Sequence, residues 1–224
     1  MSITIGSARI DERGKISGGQ PGDQSQLFDD NDTSGEVSMQ PFYNHKKGWD
    51  ILRANNIEMA KRLAEAMKRA CNNKNLGYDQ SKRLDVIMSS TSAKTPAGCD
   101  CSSLVRECVI EATGKDPGNF NTATEKKALI KTGLFTEVKN INFEDLRPGD
   151  VLVTKTKGHT AIVVSNSKEI DEIASTPGEL DKAIDVVAKY CLRGYFGNGY
   201  GRKENIYLTV QERVNQILKG GIRV

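Results

Sequence analysis

Two short motifs constrain the fold of this 224-residue chain more than any other feature. The first, Asp100-Cys101-Ser102-Ser103-Leu104-Val105, opens a stretch whose apolar residues recur at helical spacing. The second, Gly158-His159-Thr160-Ala161-Ile162-Val163, opens a β-branched, apolar stretch typical of a buried strand. Asp100 is a suitable N-cap and Gly114 a suitable helix stop. The pattern therefore predicts a helix that begins at Cys101, and a strand with His159 at its mouth.

These two positions suit a thiol nucleophile and a general base. Unpaired N–H groups at a helix N-terminus favour an anion, so we expect a lowered thiol pKa for Cys101. The chain has only two histidines, and His45 lies in a polar turn where a surface position is expected. His159 is therefore the expected base. Cys108, on the apolar face of the helix, is expected to be a small core residue.

A zinc site is the competing interpretation of the same cysteines. It would draw on Cys99, Cys101, Cys108 and His159, but Cys-x-Cys is not the Cys-x-x-Cys spacing of a zinc knuckle, and no second pair exists. We expect no metal and no cofactor.

The surrounding sequence predicts an α+β domain. Residues 146–153 run from a turn into an apolar strand, which is expected to pair antiparallel with residues 160–165 and to pack on the cysteine helix. Residues 55–73 carry the clearest amphipathic helix. Residues 36–43 alternate like a short strand, and residues 119–138 hold a polar helix followed by another strand.

The ordered motifs, including Leu146-Arg147-Pro148-Gly149-Asp150-Val151 between the other two, resemble those of NlpC-type cell-wall cysteine peptidases over residues 50–166. Ser103 stands where that family usually has glycine. The resemblance implies a papain-like fold and hydrolysis of an amide in peptidoglycan, with Cys101 attacking and His159 as base and later acid. It also implies that Tyr78, just before the cysteine helix, joins the Cys101 backbone N–H in an oxyanion hole.

The resemblance further implies a third polar residue that orients the imidazole. The family usually places it, often as histidine, on the strand after the histidine strand, and this chain has no histidine there. Asn166 is the nearest candidate, and Asp23 and Gln24 in the amino-terminal segment are the alternatives.

Three further residues are candidates for substrate binding. Asp79 and Arg83 are four residues apart, so they either pair on a helix surface or contact charged ends of the substrate. Ser102, beside the nucleophile, is the third.

Composition divides the chain into two predicted domains. Residues 1–168 form the catalytic domain, with residues 1–48 as a wrap, residues 169–177 as a linker and residues 178–224 as a helical module. Lysine and arginine balance aspartate and glutamate at 24 each in residues 1–177, but number 8 against 5 in residues 178–224. This basic excess suits an anionic polymer such as cell wall.

The glycine-rich stretch 193–203 separates two predicted helices of that module. Residues 178–219 resemble the small three-helix cell-wall-binding repeat of phage lysins. The resemblance implies wall contacts from Tyr195, Gly197, Asn198 and Arg202, where aromatic rings stack on sugars and the guanidinium binds carboxylate. A plain helical oligomerisation or folding domain is the alternative.

The start of the chain lacks the basic and apolar regions of a signal peptide, and no apolar run is long enough to span a membrane. Five scattered cysteines argue against a disulfide framework. We therefore expect a phage endolysin, made in the host cytoplasm and acting on a Gram-positive cell wall after release, without nucleic-acid partners or membrane insertion.

Three alternatives remain at this level. One is an N-acetylmuramoyl-L-alanine amidase that uses the same catalytic pair. Another is a non-catalytic wall-binding or virion structural protein. The last is a bacterial toxin or deamidase on a similar scaffold.

Overall fold

The computed structural model describes residues 2–21 and 36–167. Residues 178–224, the linker before them, and Asp23 and Gln24 lie outside the described residues. The strands are β1 (Ile3–Ala8), β2 (Val37–Pro41), β3 (Trp49–Ala54), β4 (Leu76–Tyr78), β5 (Ala97–Cys99), β6 (Phe135–Val138), β7 (Val151–Thr154) and β8 (Thr160–Asn166). The α-helices are α1 (Ile57–Cys71), α2 (Asp85–Ser89), α3 (Cys101–Thr113) and α4 (Glu125–Lys131).

Six of these strands form one antiparallel sheet in the order β2-β1-β8-β7-β3-β6. The histidine strand β8 lies between β7 and the amino-terminal strand β1. A separate parallel pair, β4 and β5, leads into the cysteine helix. The predicted antiparallel pairing of residues 151–153 with residues 160–162 is confirmed.

Two apolar clusters cover the two faces of the large sheet. The larger cluster joins α1 and α3 to β8 through fully buried side chains such as Leu63, Leu104 and Ile162. The smaller one holds Trp49, Leu152 and Ala161, with further apolar side chains around them. Because neighbouring residues of a strand face opposite sides, β8 contributes to both clusters.

The cysteine helix begins and ends where the sequence predicts. The Asp100 carboxylate accepts the backbone N–H of Ser103 at 2.7 Å, and the Ser103 hydroxyl accepts the Asp100 N–H at 2.9 Å, which completes a capping box. Gly114 ends the helix with a φ of 69°, in the left-handed region that favours glycine. The observed mixture of helices and strands agrees with the predicted α+β class.

Described portions of the amino-terminal segment belong to the sheet itself. The β1 strand pairs with both β2 and β8, and β2 confirms the strand predicted in residues 36–43. Within residues 2–21 and 36–167, no helix is both long and apolar enough to cross a membrane.

Candidate active site

Cys101 is the first residue of α3, and its side chain lies at the rim of the domain interior. The residue is 8% exposed. The backbone N–H groups of Ser102 and Thr160 lie close enough to its sulfur to lower the thiol pKa. Since Thr160 directly follows His159, the nucleophile predicted from the helix lies beside the mouth of the predicted histidine strand.

The expected lowering of the thiol pKa is wrong in this structure. The pKa of Cys101 is raised to about 12, chiefly by burial and in smaller part by the negative charge of Asp100. The two backbone N–H groups at the sulfur lower the pKa, but their contribution is smaller than the cost of desolvating a thiolate. The sequence indicated the helix N-terminus but not how deeply the thiol is buried.

His159 immediately precedes β8 and is held through one ring nitrogen. Its Nε2 lies 3.2 Å from the hydroxyl oxygen of Ser7, a buried residue of β1. The pKa of His159 is lowered to about 4, chiefly by burial and in smaller part by the positive charges of His45 and Arg9. The imidazole is therefore neutral, and able to accept a proton, at neutral pH.

Trp49 connects His159 to a small cluster of aromatic rings. The ring centroid of Trp49 lies 6.3 Å from that of His159, and the rings of His45 and Tyr43 lie 5.2 and 5.9 Å from that of Trp49. The Trp49 indole N–H donates to the Tyr43 carbonyl at 2.9 Å. His45, expected at the surface, is half-buried against Trp49.

Tyr78 ends β4, next to the strand that leads into α3. The Gln80 side-chain amide donates to the Tyr78 hydroxyl at 3.0 Å. The pKa of Tyr78 is raised to about 12, chiefly by burial and in smaller part by the negative charge that a Cys101 thiolate would carry. The phenol is therefore protonated at neutral pH, and its oxygen accepts a hydrogen bond from Gln80. It lies close enough to Cys101 for a charge on the sulfur to alter its pKa.

Arg83 and Ser102, predicted to bind substrate, form part of the support for α3. The Arg83 guanidinium donates to the Asp100 carboxylate at 2.5 Å, to the Ser102 hydroxyl at 3.0 Å and to the Phe120 carbonyl at 2.8 Å. These bonds join the start of α3 to the loop before α4.

Asp79 also has a structural partner, and it does not pair with Arg83. Its carboxylate accepts the backbone N–H of Ser81 at 2.8 Å and the Ser81 hydroxyl at 2.6 Å, which caps the short 3₁₀-helix Gln80–Lys82. The i,i+4 pair considered from the sequence is absent because Arg83 is drawn to Asp100 instead.

Asn166 does not occupy the position predicted for it. It is the last residue of β8, seven residues beyond His159, and an extended strand of that length spans roughly 23 Å. Its amide donates to the carbonyl oxygens of Leu146 at 2.7 Å and Glu144 at 2.9 Å. Among the described residues, the imidazole partner is Ser7 instead.

Behind the nucleophile lies a fully buried carboxyl group, Glu125, at the start of α4. The Thr160 hydroxyl oxygen is 2.6 Å from Glu125 Oε1 and 2.9 Å from the Leu152 carbonyl oxygen. One hydroxyl proton cannot serve two acceptors, so both contacts are hydrogen bonds only if Glu125 carries a proton. Burial does raise the pKa of Glu125, to about 8.

The other three cysteines of the described ranges lie in the apolar core and not at a helix N-terminus. Cys71, Cys99 and Cys108 are fully buried, which confirms Cys108 as a core residue. No group of three metal-ligating side chains is present within residues 2–21 and 36–167. Tyr195, Gly197, Asn198 and Arg202 lie outside the described residues.

Fold and site together define a mixed α/β domain with a cysteine at a helix N-terminus, near the start of a strand that a histidine directly precedes. The family model of the endolysin-like domain (ELLD) matches residues 5–170, about three quarters of the chain, so the chain belongs to this family. Searches of curated proteins and of solved structures found no significant match. Membership supports a general role in phage lysis of the bacterial cell wall.

Ser7 and Glu125 were not predicted from the sequence. Ser7 lies in a short strand of mixed composition, Ile3–Ala8, and its contact with a residue 152 positions away depends on strand pairing. Glu125 sits in a stretch with many charged residues, where nothing distinguishes a buried carboxyl from a solvated one.

Proposed function

We propose that this protein is a peptidoglycan hydrolase that cleaves an amide bond of the stem peptide by a cysteine–histidine mechanism on an NlpC-type, papain-like domain. The observation that carries the proposal is the Cys101 thiol, at the start of α3, in contact with the backbone of the residue after His159. Family membership supports a wall substrate. A thiol at a helix N-terminus near the backbone of the residue after a neutral histidine supports covalent catalysis.

In this mechanism His159 removes the thiol proton as the sulfur attacks the scissile carbonyl. The C–N bond then breaks, and the imidazolium returns its proton to the leaving amine. Water hydrolyses the resulting thioester with His159 again as base, which regenerates the thiol. The reaction consumes one water and requires no redox partner.

The negative oxygen of the tetrahedral intermediate needs fixed donors. The Cys101 backbone N–H is available because the first N–H groups of a helix have no intrahelical acceptor. The Tyr78 hydroxyl supplies a second donor, since Gln80 donates to its oxygen and leaves its proton free. Two donors that need no rearrangement stabilise the charge as it develops.

The test is the loss of turbidity of purified Gram-positive cell walls, with wild type and Cys101→Ala compared side by side and EDTA as a control. We expect clearing by wild type alone, insensitive to EDTA. Clearing by both proteins would reject Cys101 as the nucleophile. Failure of wild type on several wall chemotypes would instead favour a non-catalytic wall-binding or virion protein.

The bond that is cut separates the proposed endopeptidase from an N-acetylmuramoyl-L-alanine amidase with the same catalytic pair. Mass spectrometry of the soluble fragments distinguishes them: an endopeptidase leaves part of the stem peptide on muramic acid, whereas an amidase leaves muramic acid without peptide. We expect the first pattern.

A further inference from the structure

We propose that Ser7, on the amino-terminal strand, is the positioning residue that orients the His159 imidazole for catalysis. The inference rests on the proposed cysteine–histidine mechanism and assigns the third polar residue of that site. Its basis is the 3.2 Å contact between the Ser7 hydroxyl oxygen and His159 Nε2, made by a serine that is only 1% exposed.

Strand register explains how β1 delivers this hydroxyl. The β1 and β8 strands are antiparallel, and Gly6 lies opposite Ile162, so the next pair in this register is Ser7 opposite Ala161. Opposite residues share a face, as do residues two apart on one strand. Ser7 therefore lies on the same face as Ala161 and His159, as the diagonal neighbour of the histidine.

An irregularity in the pairing sets that face. The register of β1 against β8 shifts by one residue between Thr4 and Ile5. If the register at Ile3 continued unchanged, Ser7 would oppose Ile162 and face the helices. The shift is a β-bulge of the kind that re-aims a side chain near a functional site.

The contact also determines which nitrogen can act as the base. With Nε2 directed at Ser7, the remaining ring nitrogen is Nδ1. For Nδ1 to accept the thiol proton, the hydrogen of the neutral ring must be on Nε2, where it donates to the Ser7 oxygen. The same bond persists in the imidazolium, so Ser7 holds one ring orientation throughout the reaction.

A hydroxyl also differs chemically from a carboxylate in this role. It orients the ring without adding a negative charge that would favour the imidazolium. The charged or titratable groups that act on the ring are Arg9 on β1 and His45 before β3. The two cationic neighbours oppose protonation, which agrees with a base that stays neutral until it receives the thiol proton.

The test compares Ser7→Ala, which removes the hydroxyl, with Ser7→Thr, which keeps it. Thr4→Ala on the same strand is the matched control. The substrate is solubilised peptidoglycan, and each variant is also assayed by thermal unfolding. We expect Ser7→Ala to lose about 10- to 100-fold in kcat with little change in KM, because misorientation of a catalytic group mainly affects the transition state. Ser7→Thr should recover most of the activity, and Thr4→Ala should match wild type.

A second readout is independent of the substrate. The pH dependence of Cys101 alkylation by iodoacetamide, followed by peptide mass spectrometry, reports proton transfer within the pair. We expect the rise in Ser7→Ala to shift upward by about one pH unit, since a hydrogen bond to the imidazolium is lost.

The proposal is overturned if Ser7→Ala keeps kcat within twofold of wild type, or if Ser7→Thr loses as much as Ser7→Ala and the alkylation profile does not move. Cys101→Ala, assayed in parallel, keeps the two proposals apart. Activity in Cys101→Ala rejects the proposed mechanism itself, whereas an inactive Cys101→Ala beside a fully active Ser7→Ala rejects only the role of Ser7.

Discussion

At the proposed catalytic pair, burial disfavours the charged form of both Cys101 and His159. The pKa of Cys101 is raised to about 12 and that of His159 is lowered to about 4, each chiefly by desolvation. Neither group is charged at neutral pH before substrate binds. Catalysis then begins from a neutral thiol and a neutral imidazole, with proton transfer during attack.

The first prediction is an acid limb of kcat/KM that lies below pH 6.5, the ordinary histidine pKa. His159 must be neutral to act as base, and its lowered pKa keeps it neutral as the pH falls towards about 4. His45→Gln removes one positive neighbour and should move the limb to higher pH. Rates measured on solubilised wall between pH 3.5 and 8 test this, and a limb above pH 6.5 in wild type would contradict it.

Tyr78 gives the second prediction. Tyr78→Phe removes a proposed oxyanion donor and should lower kcat by about 100-fold with a small change in KM. Gln80→Ala leaves the phenol but removes the amide that holds it, and should cost about tenfold. Steady-state kinetics of both variants provide the measurement. Wild-type kcat in Tyr78→Phe would leave the helix N–H groups as the oxyanion donors.

At the scale of elements, the start of α3 is the most heavily supported point near the site. Asp100 caps the helix through Ser103 and accepts the Arg83 guanidinium, which in turn holds the loop before α4. One carboxylate therefore fixes the helix that carries the nucleophile and the segment that carries Glu125. Its removal affects both.

The third prediction concerns that carboxylate. Asp100→Ala should lower the free energy of unfolding by at least the roughly 0.5–2 kcal/mol of an N-cap, with a further loss because Arg83 is left without its partner. Asp116→Ala, which removes a half-exposed carboxylate paired with Arg106, is the matched control and should cost less than about 1 kcal/mol. Urea unfolding of both variants measures the two losses in the free energy of unfolding. Equal losses in Asp100→Ala and Asp116→Ala would contradict the capping argument.

Local signals predicted much of this fold. Helix α3 was predicted from its capping residue, its apolar stripe and the glycine that ends it. Strands β7 and β8 were predicted from their β-branched residues. What failed depended on distant pairing: Asn166 was chosen because it lies near His159 in sequence, whereas Ser7 reaches the ring through the β1–β8 ladder. The thiol pKa failed for a related reason, since a motif shows the helix N-terminus but not the burial around it.

At the scale of the whole molecule, one buried carboxyl group makes the stability of the fold depend on pH. Glu125 is a buried acid whose pKa rises from 4.5 to about 8 on folding. The folded chain keeps its proton where the unfolded chain has released it, so its contribution to stability is full below pH 4.5 and is lost as the pH rises towards 8.

The fourth prediction follows from this linkage. Glu125→Gln removes the titration, so stability should fall less between pH 5 and pH 8 than in wild type. Glu58→Gln, an exposed change on α1, should leave the pH dependence unaltered. Urea midpoints at the two pH values measure the effect. Parallel curves for wild type and Glu125→Gln would show that this carboxyl is ionised in the folded protein.

The fifth prediction concerns the basic carboxy-terminal segment, proposed as a wall-binding module. In the full-length Cys101→Ala chain, Arg202→Ala should reduce sedimentation with purified walls, and added salt should reduce it further. Arg13→Ala makes the same charge change at an exposed site in the described part of the chain and should bind as before. Equal binding by both variants would remove Arg202 from the proposed wall contact.

The pairing of β1 with β8 has a consequence for biosynthesis. Ser7, the proposed positioning residue, precedes His159, the proposed base, by 152 residues. Contacts of such wide sequence separation form slowly, since a long loop must close before they are gained. If the proposed roles hold, a chain synthesised only as far as α3 carries the nucleophile without its base, and activity requires β8 to have paired with β1.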